Sequence, residues 1–234
     1  MDGPLSSVRV LDIGVMGIGP LATCLMGTMG ADVIRIEPPH LDSLVRVPYP
    51  TMSGVGTAYI NAHFNQKNIM LDLKKKEDRE IGLELAKWAD VIVENHLPGT
   101  MERLGLGYDD VVKVNPRIVY VSSSAYGQEG PLSHFGGADH YVQAASGFAS
   151  LSGKESGEAE ILRYPTHIDW AASIVICQAA LLGLLAREVT GEGQKIDTSA
   201  FEAAIILQTS RLGEMFATGR PPSRLGSACS TVVP

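Results

Sequence analysis

Apolar runs and helical patterns alternate along this chain. The run "VRVLDIG" is apolar and β-branched without polar alternation and stops at Gly14, as a strand buried on both faces does. "PLATCLMGTMG" places apolar residues at helical spacing, with Pro20 in the first turn and Gly30 as the stop. "ADVIRIE", "KNIMLDL", "DVIVENH" and "RIVYVSSSAYG" repeat the strand pattern. Among them, "KKEDREIGLELAKWA" reads as an amphipathic helix and "PGTMERLGLGYDDVVKVN" as two short helices around a Gly-rich bend. "PPHLDSLVRVPYPTMSGVGT" is rich in Pro, Ser and Gly and reads as a long ordered loop.

From Gly127 to about Leu162 the pattern loosens around one helical core, "DHYVQAASGFASL". A long buried helix follows, starting near Asp169, with Arg187 in its last turn and Gly191 as its stop. "QKIDTS" is a short strand, and a further helix ends at Gly219. This rhythm predicts an α/β fold, an open, Rossmann-like parallel sheet with helices on both faces. Ligands bind such sheets beyond the carboxyl ends of the strands. The polar exits at Asp12–Gly19, Glu37, Glu94–His96 and Ser122–Tyr126 therefore share one functional edge.

Composition narrows the function. The 234 residues are 45% hydrophobic and 19% charged, ordinary for an α/β protein with a substantial core. A net charge of −7 argues against a nucleic-acid partner, which needs clustered Lys and Arg. The 3 cysteines, Cys24, Cys177 and Cys229, are widely separated and form neither a disulfide framework nor a metal-ligand spacing. The 6 histidines show no close pair with an acidic third ligand, so no metal is expected. "MDGPLSS" does not resemble a signal peptide, and the greasy run "ASIVICQAALLGLLA" is shorter than a membrane span. A cytoplasmic protein without a membrane partner is the expectation.

The stretch "GVMGIGPLA" contains Gly17, Gly19 and Ala22 in the spacing G-x-G-x-x-A of a dinucleotide loop. Three features weigh against NAD. Gly14 intrudes between the strand and the motif, Pro20 removes a backbone N–H from the helix start, and "PPH" follows Glu37 where a ribose-binding carboxylate would sit. Close packing of strand and helix explains the glycines locally.

Several segments in order resemble the family III CoA-transferases, which include the α-methylacyl-CoA racemases. They are "LDIGVMGIGPLATCLMGTMGADVIRIEPP", "FNQKNIMLDLK", "ADVIVENHLPGTMERLGLGYDDVVKVNPRIVYVSSSAYGQEGPL", "GGADHYVQAASGF" and "IDWAASIVICQAALLGLLAREVTGEGQKIDTSAFEA". The resemblance runs from about Leu5 to Gly226. It implies an enzyme that moves CoA from an acyl-CoA to a carboxylic acid, with Asp169 as covalent nucleophile. It assigns the acyl pocket wall to Val15, Met16, Gly17 and Ile18. It assigns CoA contacts to Leu71, Lys74, Asn95, His96, Arg103 and Leu104. Under this reading residues 1–200 form a CoA-binding large domain, and 201–234 are a helix and linker leading toward a small domain that this chain lacks. An interlocked homodimer of the complete protein is implied as well.

Plainer roles exist for each residue. Asp169 suits a helix N-cap, Lys74 a solvated helix start, Asn95 a turn and His96 the surface, and Arg103 suits pairing with Glu102 or Asp109. A racemase would need a histidine where Ala138 stands; His140 is displaced by two residues and points elsewhere on a helix. An inactive or partner-dependent CoA-binding fragment is the remaining alternative.

Overall fold

The structure is a computed structural model that describes residues 3–39, 50–163 and 166–228. Its first half runs β1 (Arg9–Asp12), α1 (Ile18–Thr28), β2 (Asp32–Glu37), a hairpin of β3 (Thr51–Met52) and β4 (Val55–Gly56), and α2 (Thr57–Ala62). Next come β5 (Lys67–Met70), α3 (Lys76–Trp88), β6 (Val91–Glu94), α4 (Thr100–Arg103), α5 (Tyr108–Val111) and β7 (Val119–Ser124). The remainder is α6 (Asp139–Ala145), α7 (Phe148–Leu151), α8 (His167–Thr190), β8 (Gln194–Ser199), α9 (Ala200–Leu207) and α10 (Thr209–Thr218).

Six strands form one sheet in the order β5-β2-β1-β6-β7-β8, every pairing parallel. The expected Rossmann-like α/β fold is present. Strand order reverses between β1 and β6, where a crevice opens beyond the carboxyl ends. Side chains alternate across the sheet. Val10, Val33, Val91, Val93, Val119 and Val121 meet α1 and α8 on one face. Leu11, Ile36, Ile92 and Tyr120 meet α3, α4 and α5 on the other.

Four expectations are corrected. The long loop contains the β3–β4 hairpin and leads into α2; its residues 40–49 lie outside the described residues. "DHYVQAASGFASL" is two helices, broken at Gly147 with φ +81°. The long helix starts at His167, near Asp169 as expected, but the last helical segment is split at Gln208. Finally, α8 spans 24 residues and is long and apolar enough to cross a membrane by length and composition, unlike the shorter run read from the sequence. Here one side of it is core: Ile168, Ala172, Ile176 and Ala180 are buried against the sheet and α1. Its opposite side leaves Trp170, Ile174, Leu182, Leu185 and Val189 exposed.

Candidate active site

The loop after β1 is held by side chains from its neighbours. The Val15 N–H donates to Asn95 Oδ1 at 2.9 Å, and Asn95 Nδ2 donates to the Met16 carbonyl at 2.6 Å. The His96 ring nitrogen Nε2 lies 2.8 Å from the Ile13 carbonyl, and Arg35 donates to the Val15 carbonyl at 3.1 Å. A Cβ on Gly14 would lie 2.9 Å from Asn95 Oδ1 and from Asp12 Oδ1, so the clamp requires glycine there.

The loop separates two cavities. One, of about 140 Å³, is lined by Met16, Gly17, Ile18, Asn95, Asp139 and Asp169, with small residues from β7 and the start of α9. The other is mostly apolar and is lined by Val15, Leu71, Lys74, His96 and Leu104, with Ile13, Ile36 and Leu73 around them. The structure thus brings together ten of the eleven residues singled out in the sequence. Arg103 is the exception: its side chain is exposed and donates to Thr100 Oγ1 at 2.9 Å within its own helix. The polar atoms of Asn95 and His96 are engaged with the loop backbone, so both residues build the walls as well as line them.

Asp169 occupies the third position of α8 and is not the N-cap; that position is Thr166. Burial and then the neighbouring Asp139 raise the Asp169 carboxyl to about 6, while a hydrogen bond from the Thr166 side chain opposes the rise. Gly17, with φ +68°, faces it across the cavity, and a Cβ there would be 3.7 Å from Asp169 Oδ2. Gly17 is also the N-cap of α1, so Asp169 stands over the helix end that an NAD pyrophosphate would need. Glu37 is engaged too: Arg35 Nε donates to it at 3.1 Å, and so does the Tyr59 hydroxyl.

Asp139 was missed as a site residue. It is buried, and its Oδ2 accepts the N–H groups of Ile168 at 2.8 Å and Asp169 at 3.1 Å. A signal existed in the spacing of Asp139 and Gln143, one turn apart, since the Gln143 amide donates to Asp139 Oδ1. His140 is exposed and packs on the Tyr141 ring, away from the cavity lining. Elsewhere, burial lowers the pKa of His96, favouring a neutral ring, and raises the Glu94 carboxyl to about 7. No three His, Cys, Asp or Glu side chains cluster as a metal site among the described residues.

The CoA-transferase family III model matches residues 5–234. The chain belongs to this family. It is 35% identical over 225 residues to the acetyl-CoA:oxalate CoA-transferase of Acetobacter aceti, covering 96% of this chain and 58% of that one. It is 34% identical to the succinyl-CoA:glutarate CoA-transferase of Mus musculus, covering 99% of this chain and 53% of that one. A CAIB/BAIF family protein from Brucella suis superposes with a TM-score of 0.94 at 26% identity, over all of this chain and 63% of that one. A hypothetical protein from Mycobacterium tuberculosis superposes with a TM-score of 0.82 at 32% identity, over 93% of this chain and 60% of that one. The chain therefore spans between half and two thirds of these family relatives.

Proposed function

We propose that this chain carries the nucleophile and the CoA-binding half of a CoA-transferase that exchanges CoA between an acyl-CoA and a carboxylic acid. The observation that carries the reading is Asp169: a half-buried carboxyl, raised to about 6, in a cavity one loop away from a second, mostly apolar cavity. A carboxyl raised in this way is more basic than an ordinary aspartate and, when ionised, correspondingly more nucleophilic.

The carboxylate attacks the thioester carbonyl, the C–S bond breaks, and CoA leaves as its thiolate, giving a mixed anhydride on Asp169. The thiolate returns to the aspartyl carbonyl and expels the first acid, leaving an aspartyl-CoA thioester. The acceptor carboxylate attacks this thioester to form a second anhydride, and the thiolate then takes the acceptor acyl group and frees Asp169. Every intermediate stays an activated acyl derivative, so no nucleotide hydrolysis is required. A racemase is not favoured, because Ala138 offers no proton-transfer group on the cavity wall.

The homodimer implied by the resemblance belongs to the same proposal, supported by the uncovered apolar stripe along α8. An acyl-CoA incubation followed by peptide mass analysis tests the chemistry. An acyl or CoA adduct on the Asp169 peptide, absent in Asp169→Ala while CoA binding stays within a few-fold, is the expected result. Turnover retained by Asp169→Ala sinks the assignment. Thermal unfolding separates the ligands: CoA at about a hundred times its dissociation constant adds roughly 2.7 kcal/mol of apparent stability, and NAD adds none.

A further inference from the structure

The first amides of a helix have no partner within it, and α8 does not satisfy them locally, since the N-cap Thr166 makes no side-chain cap. The acceptor comes from another helix. We propose that Asp139 is a positioning residue for Asp169: it grips the backbone of the nucleophile from α6 and sets a fixed negative charge beside its carboxylate. This inference rests on the reading of Asp169 as nucleophile.

Three observations carry it. Asp139 Oδ2 takes both the Ile168 and Asp169 N–H groups, at 2.8 and 3.1 Å, so the acceptor reaches the nucleophile's own peptide unit. Gln143 donates to the other oxygen and is itself tied to Leu162, whose N–H it accepts at 2.9 Å and whose carbonyl it donates to at 2.7 Å. Asp139 and the fully buried Gln143 therefore have little freedom to move. The third observation is the composition of the shell around Asp169. Loop and α1 bring Met16, Gly17 and Ile18, β6 brings Asn95, and α9 brings Ala200; Asp139 is the charged group among these lining residues.

The chemical consequence follows from charge. Acylation converts the Asp169 carboxylate into a neutral anhydride, which relieves its repulsion with Asp139. Asp139 thus favours the covalent intermediates over the free carboxylate, and it raises the basicity of the attacking oxygen.

Two variants of the 234-residue chain test this by carboxyl-detected NMR and amide hydrogen exchange. Asp139→Asn removes the charge and, with Oδ1 turned to the two amides, keeps their acceptor while giving up the bond from Gln143, whose Nε2 donor then meets the asparagine Nδ2. In it the Ile168 and Asp169 amides stay protected, the titration midpoint of Asp169 falls below its wild-type value, and adduct formation at pH 8 slows about three- to tenfold. Asp139→Ala removes acceptor and charge, and protection of those two amides falls at least about tenfold. If the Ala variant does not fold, the midpoint in the Asn variant decides alone. An unchanged Asp169 midpoint in Asp139→Asn, or unchanged exchange at both amides in a folded Asp139→Ala, overturns the proposal. Neither NMR measurement involves CoA. Both results as expected, with no adduct on the wild type, would remove the transferase reading and leave the positioning of Asp169 intact.

Discussion

Two pairs of acids lie at the carboxyl edge of the sheet, and the fold treats them in opposite ways. Asp12 and Glu37 share the buried guanidinium of Arg35, at 3.2 and 3.1 Å, and Asp12 also accepts from Thr23 Oγ1 and the Gly14 N–H. Burial still pushes the Asp12 carboxyl up, but Arg35 and these donors hold it back. Among the described residues no cation lies between Asp139 and Asp169, and Asp169 is left raised to about 6. The first pair is a scaffold: through Arg35 it also fixes the Val15 carbonyl and hence the loop between the two cavities. The second leaves Asp169, held by a hydrogen bond from Thr166, without a cation and facing into a cavity. The acids that share a cation shape the site, and the one that faces the cavity is available for chemistry.

The contrast is broken most severely at Arg35. Arg35→Met leaves two buried carboxylates without their cation, and a loss of about 3 to 5 kcal/mol is expected in a denaturant titration. A loss below about 1 kcal/mol would show that the network is not what holds this edge.

Removing the acid that lacks a cation has the opposite sign. The Asp169 carboxyl moves from 3.8 when unfolded to about 6 when folded, so the folded chain binds the proton more tightly. Stability is therefore fully present below the unfolded value and is lost as pH rises through about 6. Asp169→Asn is expected to abolish adduct formation and to stabilise the chain by about 1 to 3 kcal/mol at pH 8, with no gain at pH 3. Urea melts at the two pH values check this. Glu94, raised from 4.5 to about 7, behaves alike, and Glu94→Gln should remove the loss of stability that remains up to pH 7 in Asp169→Asn. A double variant whose stability still falls over that range would mean that other groups carry the dependence.

The scaffold was far more legible than this site. The four central strands β2, β1, β6 and β7 are apolar, largely buried runs and declared themselves, while the edge strands β5 and β8, exposed over much of their length, fitted the strand–helix alternation. The β3–β4 hairpin did not, because strands of two residues cannot show alternation; its turn at Ser53 and Gly54, both with positive φ, was the available signal. The break at Gln208 has no Gly or Pro to mark it, and is tied to the Ser146 carbonyl across the chain. At the site, sequence order led to Asp169 and the loop. It did not lead to Asp139, because a helix capped from thirty residues away is unmarked at its own start, and the Asp139–Gln143 spacing by itself shows only a pair within α6. Arg103 stands apart from both cavities: its neighbour Leu104 lines one of them, while its own side chain turns back to Thr100.

The finest probe of the contrast is Gly17→Ala. Its φ of +68° places the residue where side chains are disfavoured, so a loss of about 1 to 2 kcal/mol is expected. The added methyl would sit 3.7 Å from Asp169 Oδ2, an ordinary contact that displaces solvent without a clash. Less solvent around a carboxylate that already lacks a cation raises its pKa further above about 6. The acid limb of adduct formation should therefore move to higher pH. If Gly17→Ala moved the limb downward, the cavity face of Asp169 would be governed by something other than its desolvation.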